Sequence, residues 1–376
     1  MSKKIKIVYF LNTEVRGGAE EHLLNLLKYL DRGKFAPVLV CPPKLIELLN
    51  DDLGSLKIRF KGIKLKRWRD FSKIREFTNF LKEEKPDIVH SHMFYASMFG
   101  STLAKRAGVA VTIETAHIHE RWRKGVKAWY AIDRFFSRFV DKYIAVSQAV
   151  EDYLSTDKKI EPGKIKVIHN GIDLEKFNPD RNYDSNNFRK IFSLGDYPVI
   201  TIIGRLNFQK GHIYFLQAAA QVLEEIPVAR FLIVGKGELE EELKNKAKEL
   251  KIEKNVIFAG FQKNIPLVIA SSDIVVLPSL FEGLPLVPIE AQAMVKPVIV
   301  TDVDGSPEVV KNRESGMVIP PRNIKVLSQA MLYLLKNENI AKEYGEAGRK
   351  FVKTNFSIEK QVQLTQEFYL NLLNYD

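Results

Sequence analysis

Residues 198–211 read PVITIIGRLNFQKG. An unbroken β-branched run of this kind marks a strand buried on both faces, as in a parallel sheet covered by helices. Gly204 closes the run, Arg205 and Lys210 follow it, and from Gly211 to about Glu225 the apolar residues fall at helical spacing. This predicts strand, loop and helix, with two cations beside the helix N-terminus, where unpaired N–H groups and the macrodipole also favour negative charge. A pyrophosphate fits such a place. Either cation alone could be a surface residue; their shared position at the end of a strand points to a site.

The same unit recurs on both sides. Downstream lie ARFLIVG (229–235), a Lys/Glu-rich helix to about Lys251, NVIFAG (255–260), DIVVLPS (273–279), a helix around Pro288 to Met294, and PVIVTD (297–302), with long helices to the end. Upstream, IKIVYFL (5–11) leads into a loop with Gly17 and Gly18, then leucines at helical spacing; VLVCP (38–42), DIVHSH (87–92), VAVTIET (109–115) and YIAVS (143–147) follow. Between the two series, residues 165–198 are rich in Asn, Asp, Gly and Pro, as a linker is. Alternating strands and helices give an α/β fold class of two Rossmann-like doubly wound domains, 1–180 and 190–356, with a last helix at about 357–376. At 376 residues the chain exceeds the roughly 250 to 300 that a single core reaches. Ligands are expected at the carboxyl ends of the strands and in a cleft between the domains.

With 45% hydrophobic and 27% charged residues, the composition excludes disordered and fibrous classes. No apolar run reaches the ~18 residues that cross a bilayer. The apolar start, Ile5 to Leu11, reads as a strand rather than an export signal. A single cysteine, Cys41, excludes an internal disulfide and a multi-cysteine metal site, and fits a reducing cytoplasm. The net charge of +11 is unevenly placed: +10 in residues 1–180 and +1 in the remainder. The halves therefore face different partners.

In SLFEGLPLVPIEAQAMVKPVIV (279–300), Glu282 sits in a loop just past a strand and Glu290 in the helix that follows. Paired carboxylates there can accept hydrogen bonds from sugar and ribose hydroxyls, although two exposed glutamates would show the same spacing. VGKGELEEEL supplies Gly235 and Gly237, which allow close approach of a nucleotide. Glu240 stands where a dinucleotide fingerprint has its third glycine, which argues against an NAD-dependent oxidoreductase. Asp302-Val303-Asp304 matches a short metal-binding signature but reads as a polar turn. His90, His92, His117 and His119 have metal-ligand spacing, yet without further ligands they read as cleft-edge or core histidines rather than a zinc site.

Taken in order, RGGAEEHLLNLLKYL, KPDIVHSH, ETAHIHE, KYIAVSQAV, VIHNGID, IIGRLNFQKG, LIVGKG, AGF and FEGLPLVPIEAQAMVKPVIV followed by PEVV resemble the retaining glycosyltransferases of family 4, of GT-B fold, nearly end to end. The resemblance implies an acceptor domain followed by a donor domain for a nucleotide diphosphate sugar, which is a co-substrate; no cofactor and no metal are implied. It assigns Arg205 and Lys210 to the donor phosphates, Glu290 to the ribose and Glu282 to the transferred sugar. Backbone amides around Gly283 and Leu284 assist. Gly18 would let the first glycine loop approach the diphosphate or acceptor, His117 would contact the sugar, and Phe261 would lie against the nucleobase. Retention is rationalised in the family by front-face attack, the leaving phosphate oxygen taking the acceptor's proton. Glu282 as a nucleophile and His117 as a general base are the alternatives.

Between Lys57 and Arg75 stand nine cations and one acid, Asp70, with Trp68 and Phe71 among them. A second cluster places Arg121, Arg123, Lys124, Lys127, Arg134 and Arg138 among Trp122, Trp129, Phe135, Phe136 and Phe139, the three phenylalanines being expected in the core. Basic and aromatic residues together suit an anionic membrane surface, where each cation contributes about 1 kcal/mol. Nucleic acid would be the other partner of such a patch, but no recognised binding module accompanies it. The sequence thus predicts a cytoplasmic transferase, peripheral at the inner face of the membrane, moving a sugar from a UDP-sugar to a lipid-linked or oligosaccharide acceptor in surface polysaccharide biosynthesis. A GDP-mannose-dependent mannosyltransferase, a nucleotide-sugar epimerase of the same shape and a nucleic-acid-binding protein are the other readings.

Overall fold

The structure, a computed structural model, describes residues 4–117 and 127–373, with the backbone alone for 127–130. It divides into two compact units, one of residues 1–171 with 358–376 and one of residues 172–357. Both are α/β with an all-parallel sheet, the arrangement that the repeated strand–helix pattern predicts.

The first sheet contains β1 (Ile5–Phe10), β2 (Phe35–Cys41), β3 (Arg59–Gly62), β4 (Ile88–His92), β5 (Val111–Ala116), β6 (Lys142–Ala145) and β7 (Ile165–Val167), in the order β3-β2-β1-β4-β5-β6-β7. Side chains alternate across a strand, and here both faces are buried. Ile5, Ile7 and Tyr9 pack with Leu27, Phe35 and Ile88 on one face, while Val8 and Phe10 pack with Phe77, Val89 and Phe99 on the other. That is why these strands read as continuous apolar runs. The C-terminal helix, Ile358–Leu372, adds Ile358, Val362 and Tyr369 to the first of these faces.

The second sheet contains β8 (Val199–Ile203), β9 (Arg230–Val234), β10 (Val256–Gly260), β11 (Ile274–Leu277), β12 (Val298–Thr301) and β13 (Met317–Ile319), in the order β10-β9-β8-β11-β12-β13. Ile200 pairs with Phe231 on one side and Ile274 on the other. Its core joins Ile200, Ile202, Phe215, Phe231 and Met331.

Two strands escape the pattern. β3 is an edge strand whose residues Arg59, Phe60 and Lys61 are all exposed, so it carries charge instead of an apolar run. β7, with partly exposed residues, lies where the composition suggests linker. The division falls at Gly171/Ile172, ahead of residue 180, because the Ile172 N–H donates to the Phe356 carbonyl at 2.9 Å and ties this stretch to the second unit. Among the described residues, no helix is long and apolar enough to cross a membrane.

Candidate active site

In each sheet the chain reverses its direction of growth once, and ligands of doubly wound folds bind at the carboxyl ends of the strands flanking that point. In the second sheet the point lies between β8 and β11, so the loops leaving these strands form the candidate donor site. They are Gly204 to Gly211 and Pro278 to Pro285. Gly211 has φ +69°, and a Cβ there would lie 2.0 Å from the Pro278 carbonyl oxygen. Only glycine lets the helix His212–Glu225 begin this close to the second loop. The Leu280 N–H donates to the Gln209 carbonyl at 2.8 Å and joins the two loops.

At this junction the Glu282 carboxylate, 5% exposed, is held from three sides. Lys210 Nζ donates to Oε1 at 2.5 Å, Ser279 Oγ to the same oxygen at 2.6 Å, and Gln209 Nε2 to Oε2 at 3.4 Å. The Glu282 N–H donates to Asp304 Oδ2 at 3.0 Å. Asp304, which has φ +42°, therefore serves the turn in which the short acidic signature falls, by supporting the Glu282 backbone. Buried carboxylates are stable when paired and hydrogen-bonded, and Lys210 and Glu282 meet that condition together. Two residues assigned to different parts of a donor thus form one unit.

Arg205 is exposed and reaches Glu238 at 3.3 Å. Glu290 lies partly buried in the helix Leu286–Ala293. Gly283 and Leu284 are buried just ahead of that helix, and Phe261, at the end of β10, is 67% exposed. Gly235 directly follows β9. With φ +142°, its Cβ would lie 1.9 Å from the Gly204 carbonyl oxygen, and that of Gly237 would lie 2.2 Å from the Leu206 oxygen. These glycines permit the close approach of the chain's own loop after β8.

In the first sheet the reversal lies between β1 and β4. Gly18 opens the helix Gly18–Tyr29, and a Cβ on it would meet nothing within 4 Å. The preceding Gly17 N–H donates to Glu20 Oε2 at 2.9 Å, so a carboxylate of the protein already occupies part of this helix end. Open space is what the loop offers a ligand.

Beyond β4 and β5 the histidines converge. His92 Nδ1 lies 3.0 Å from His117 Nε2, and the His22 ring meets His117 edge-on at 4.8 Å. His90 bonds the Tyr369 hydroxyl through Nδ1 and Thr115 Oγ1 through Nε2, both at 2.6 Å. Gln361 Nε2 donates to His22 Nδ1 at 3.1 Å. Burial pushes His22 down to about 4 and His90 to about 3, with His22 also depressing His90. Burial first, then the neighbouring imidazoles, holds His92 and His117 well below the usual histidine range. All four are neutral at pH 7. One nitrogen from each of His22, His92 and His117 falls within 4.8 Å of the others, a separation that suits a metal. His92 Nδ1 and His117 Nε2 are engaged with each other and His22 Nδ1 with Gln361, while His92 Nε2 has no partner among the described residues. His119 lies outside the described residues.

Sequence reasoning missed His22, Gln361 and Tyr369. His22 follows Gly18 by one helical turn on a buried face, a signal that is visible locally. Tyr369 meets Tyr9 and His90 across some 280 to 360 residues of chain, which no local pattern reveals.

The basic stretch is only partly unpaired: Arg59 bonds Glu84, Lys61 and Lys73 face Glu76, and Lys64 bonds Glu14. Its aromatics separate. Phe71 is 76% exposed, whereas Trp68 is part-buried and packs against Phe99 and Phe136. Phe135 corrects the core expectation: it is 48% exposed, under the Arg138 guanidinium at 4.1 Å. Phe136 and Phe139 are part-buried. Arg121, Trp122, Arg123 and Lys124 lie outside the described residues, as do the side chains of Lys127 and Trp129.

Two family models match in succession, Glycosyltransferase Family 4 over residues 16–176 and Glycosyl transferases group 1 over residues 184–351. The chain belongs to this family of GT-B-fold glycosyltransferases. It is 29% identical over 379 residues to the UDP-Gal:alpha-D-GlcNAc-diphosphoundecaprenol alpha-1,3-galactosyltransferase of Escherichia coli, with 98% of each chain covered. It is 27% identical to the capsular polysaccharide biosynthesis glycosyltransferase CapM of Staphylococcus aureus, over 77% of this chain and 79% of the relative. The crystal structure of Anabaena Alr3699/HepE in complex with UDP superposes with a TM-score of 0.86 at 20% identity, covering 98% of this chain and all of that one. These make the protein a glycosyltransferase, and the Staphylococcus aureus relative acts in capsular polysaccharide biosynthesis.

Proposed function

We propose that the protein transfers a sugar from a UDP-sugar, with retention at the anomeric carbon, to a lipid-linked or oligosaccharide acceptor during assembly of a surface polysaccharide. The observation that carries this reading is the Glu282 carboxylate clamped by Lys210, Ser279 and Gln209 at the β8/β11 reversal. A phosphate arriving there draws on the Lys210 charge, and the carboxylate so released accepts hydrogen bonds from a sugar hydroxyl. Arg205, exposed beside the same loop, adds the second cation. Glu290 holds the ribose, the amides of Gly283 and Leu284 assist, and Phe261 packs the base. Gly18 admits the diphosphate or acceptor, and His117 contacts the transferred sugar.

In the reaction the acceptor oxygen bonds to the anomeric carbon on the face from which the diphosphate departs. The carbon–oxygen bond to the diphosphate breaks, and the acceptor proton passes to the leaving phosphate oxygen. Cations at the diphosphate stabilise the charge that grows there.

Support for a uridine donor comes from the relatives: one is a UDP-galactose transferase to a diphosphoundecaprenol acceptor and a structural neighbour binds UDP. GDP-mannose is the second choice. The exposed Phe71 and the cations around it suit an anionic bilayer holding a lipid-linked acceptor, which would place the protein at the inner face of the cytoplasmic membrane.

The test is a thermal-shift screen of UDP-galactose, UDP-glucose, UDP-N-acetylglucosamine and GDP-mannose. Release of nucleoside diphosphate dependent on an undecaprenyl-diphosphate-linked sugar follows for the stabilising donor. Acceptor-independent turnover of the donor sugar would instead indicate an epimerase. Sedimentation with phosphatidylglycerol vesicles, lost in Phe71→Ser with Arg67→Glu, tests the membrane surface; binding to DNA in a filter assay with no vesicle binding would overturn it.

A further inference from the structure

His117 approaches its substrate as one of two neutral tautomers, and a buried neighbour selects between them. His92 lies at the end of β4, paired in register with Thr115 of β5, and its ring plane is inclined at 22° to that of His117 with centroids 5.3 Å apart. Each neutral imidazole carries one N–H, so the 3.0 Å contact between His92 Nδ1 and His117 Nε2 contains a single proton. Either nitrogen can own it.

The other nitrogen of His92 breaks the tie. Its Nε2 is buried with no partner among the described residues. If His117 donates, His92 must carry its proton on Nε2, where a buried N–H stays unsatisfied. If His92 donates from Nδ1, only a lone pair is left without a partner. Orphaned buried N–H groups are the rarer of the two, and they cost the full desolvation of a donor.

We infer that His92 is a positioning residue that donates to His117 Nε2 and fixes His117 as the Nδ1–H tautomer, so that His117 presents a hydrogen-bond donor to substrate oxygen instead of a base. A general base needs a free lone pair, and Nε2 is occupied.

The next residue in the cluster is locked in the same manner. The Gly171 N–H donates to Gln361 Oε1 at 2.5 Å, so Gln361 Nε2 donates to His22 Nδ1, and His22 carries its proton on Nε2. The His22 ring, so fixed, seats edge-on against His117.

The substrate-facing part of this inference rests on the placement of His117 at the transferred sugar; the tautomer does not. Two-bond nitrogen–proton correlation spectra of the ¹⁵N-histidine-labelled full chain at pH 7.5 read the tautomer directly, with the His117 signals assigned by their loss in His117→Asn. Expected is a protonated Nδ1 and a bare Nε2. A protonated Nε2 overturns the inference without any other variant. His92→Asn retains an N–H donor near the original Nδ1 position and is expected to keep the His117 pattern and the turnover. His92→Leu is expected to release His117 to the other tautomer and to lower kcat about tenfold, the worth of one hydrogen bond, with KM for the nucleotide sugar within about twofold. An unchanged His117 spectrum and wild-type kcat in His92→Leu would refute the positioning role. The expected tautomer together with full turnover in His117→Ala would support the lock and overturn the placement of His117 at the sugar.

Discussion

Lys210 Nζ lies 2.5 Å from Glu282 Oε1, across 72 residues of sequence and between the loops that leave β8 and β11. Neither charge would be stable there alone. Breaking such a pair leaves a buried ion without compensation, and Lys210→Met is expected to destabilise the protein by about 2 to 3 kcal/mol. The low end of the range applies because the lysine side chain remains 19% exposed. Combining Lys210→Met with Glu282→Gln should recover most of that stability in urea denaturation while turnover stays down by roughly 10²-fold. Equal recovery of both would reduce the pair to a structural contact.

The glycines of the two candidate loops divide by what a methyl group would meet. Gly18→Ala has open space and sits in the first turn of a helix, so its stability should stay within about 0.5 kcal/mol of the parent. A fall in turnover would then report ligand approach. Gly235→Ala drives a Cβ onto the Gly204 carbonyl at positive φ, and a loss of about 3 kcal/mol or more is expected. Thermal melts of both variants beside the nucleotide-release assay separate the two uses of glycine.

Tyr369 is fully buried and joins Tyr9 and His90. Deleting the chain from residue 357 removes Ile358, Val362 and Tyr369, each worth about 1.5 to 3 kcal/mol of apolar burial. Against a total margin of about 5 to 15 kcal/mol, this should leave the first unit unfolded or aggregated. Tyr369→Phe keeps the ring and loses only the hydroxyl, at about 1 to 2 kcal/mol. A truncated protein with the parent melting temperature would contradict the packing of this helix.

Acid should unfold the protein earlier than its carboxylates alone would require. His22 and His90 are neutral when folded, with values of about 4 and about 3 against a usual 6.5, as is His212 at about 3. Below pH 6.5 the unfolded chain takes up protons that the folded chain refuses. The stability from these groups is thus complete above pH 6.5 and falls as the pH drops toward 4 and then 3, by up to about 1.4 kcal/mol per pH unit for each histidine. Urea midpoints measured between pH 7.5 and 4.5 should show this slope, and a shallower one in His90→Gln.

Activity should not depend on a divalent ion. Asp304 of the acidic turn is committed to the Glu282 backbone, and Arg205 and Lys210 offer positive charge for the diphosphate. Turnover in excess EDTA should equal that in Mg²⁺; loss in the chelator with rescue by Mg²⁺ or Mn²⁺ would reassign the turn.

What the sequence determined by itself was local in origin. Period-two burial on both faces makes β1 and β8 legible as apolar runs, and glycine or a cation after a strand marks the loops at the two reversals. These signals span a dozen residues, within which backbone geometry and side-chain direction are correlated. Tertiary structure alone decided what each marked residue touches. Lys210 meets Glu282, Gly235 meets Gly204, and His117 meets His92, His22 and, through them, Gln361 of the last helix. Partners 25 to nearly 340 residues apart become neighbours only when the sheet order sets β9 and β11 beside β8, and β1 and β5 beside β4. The physical reason is that the pairing of a buried charge, and the position of an imidazole proton, depend on which groups share a desolvated space.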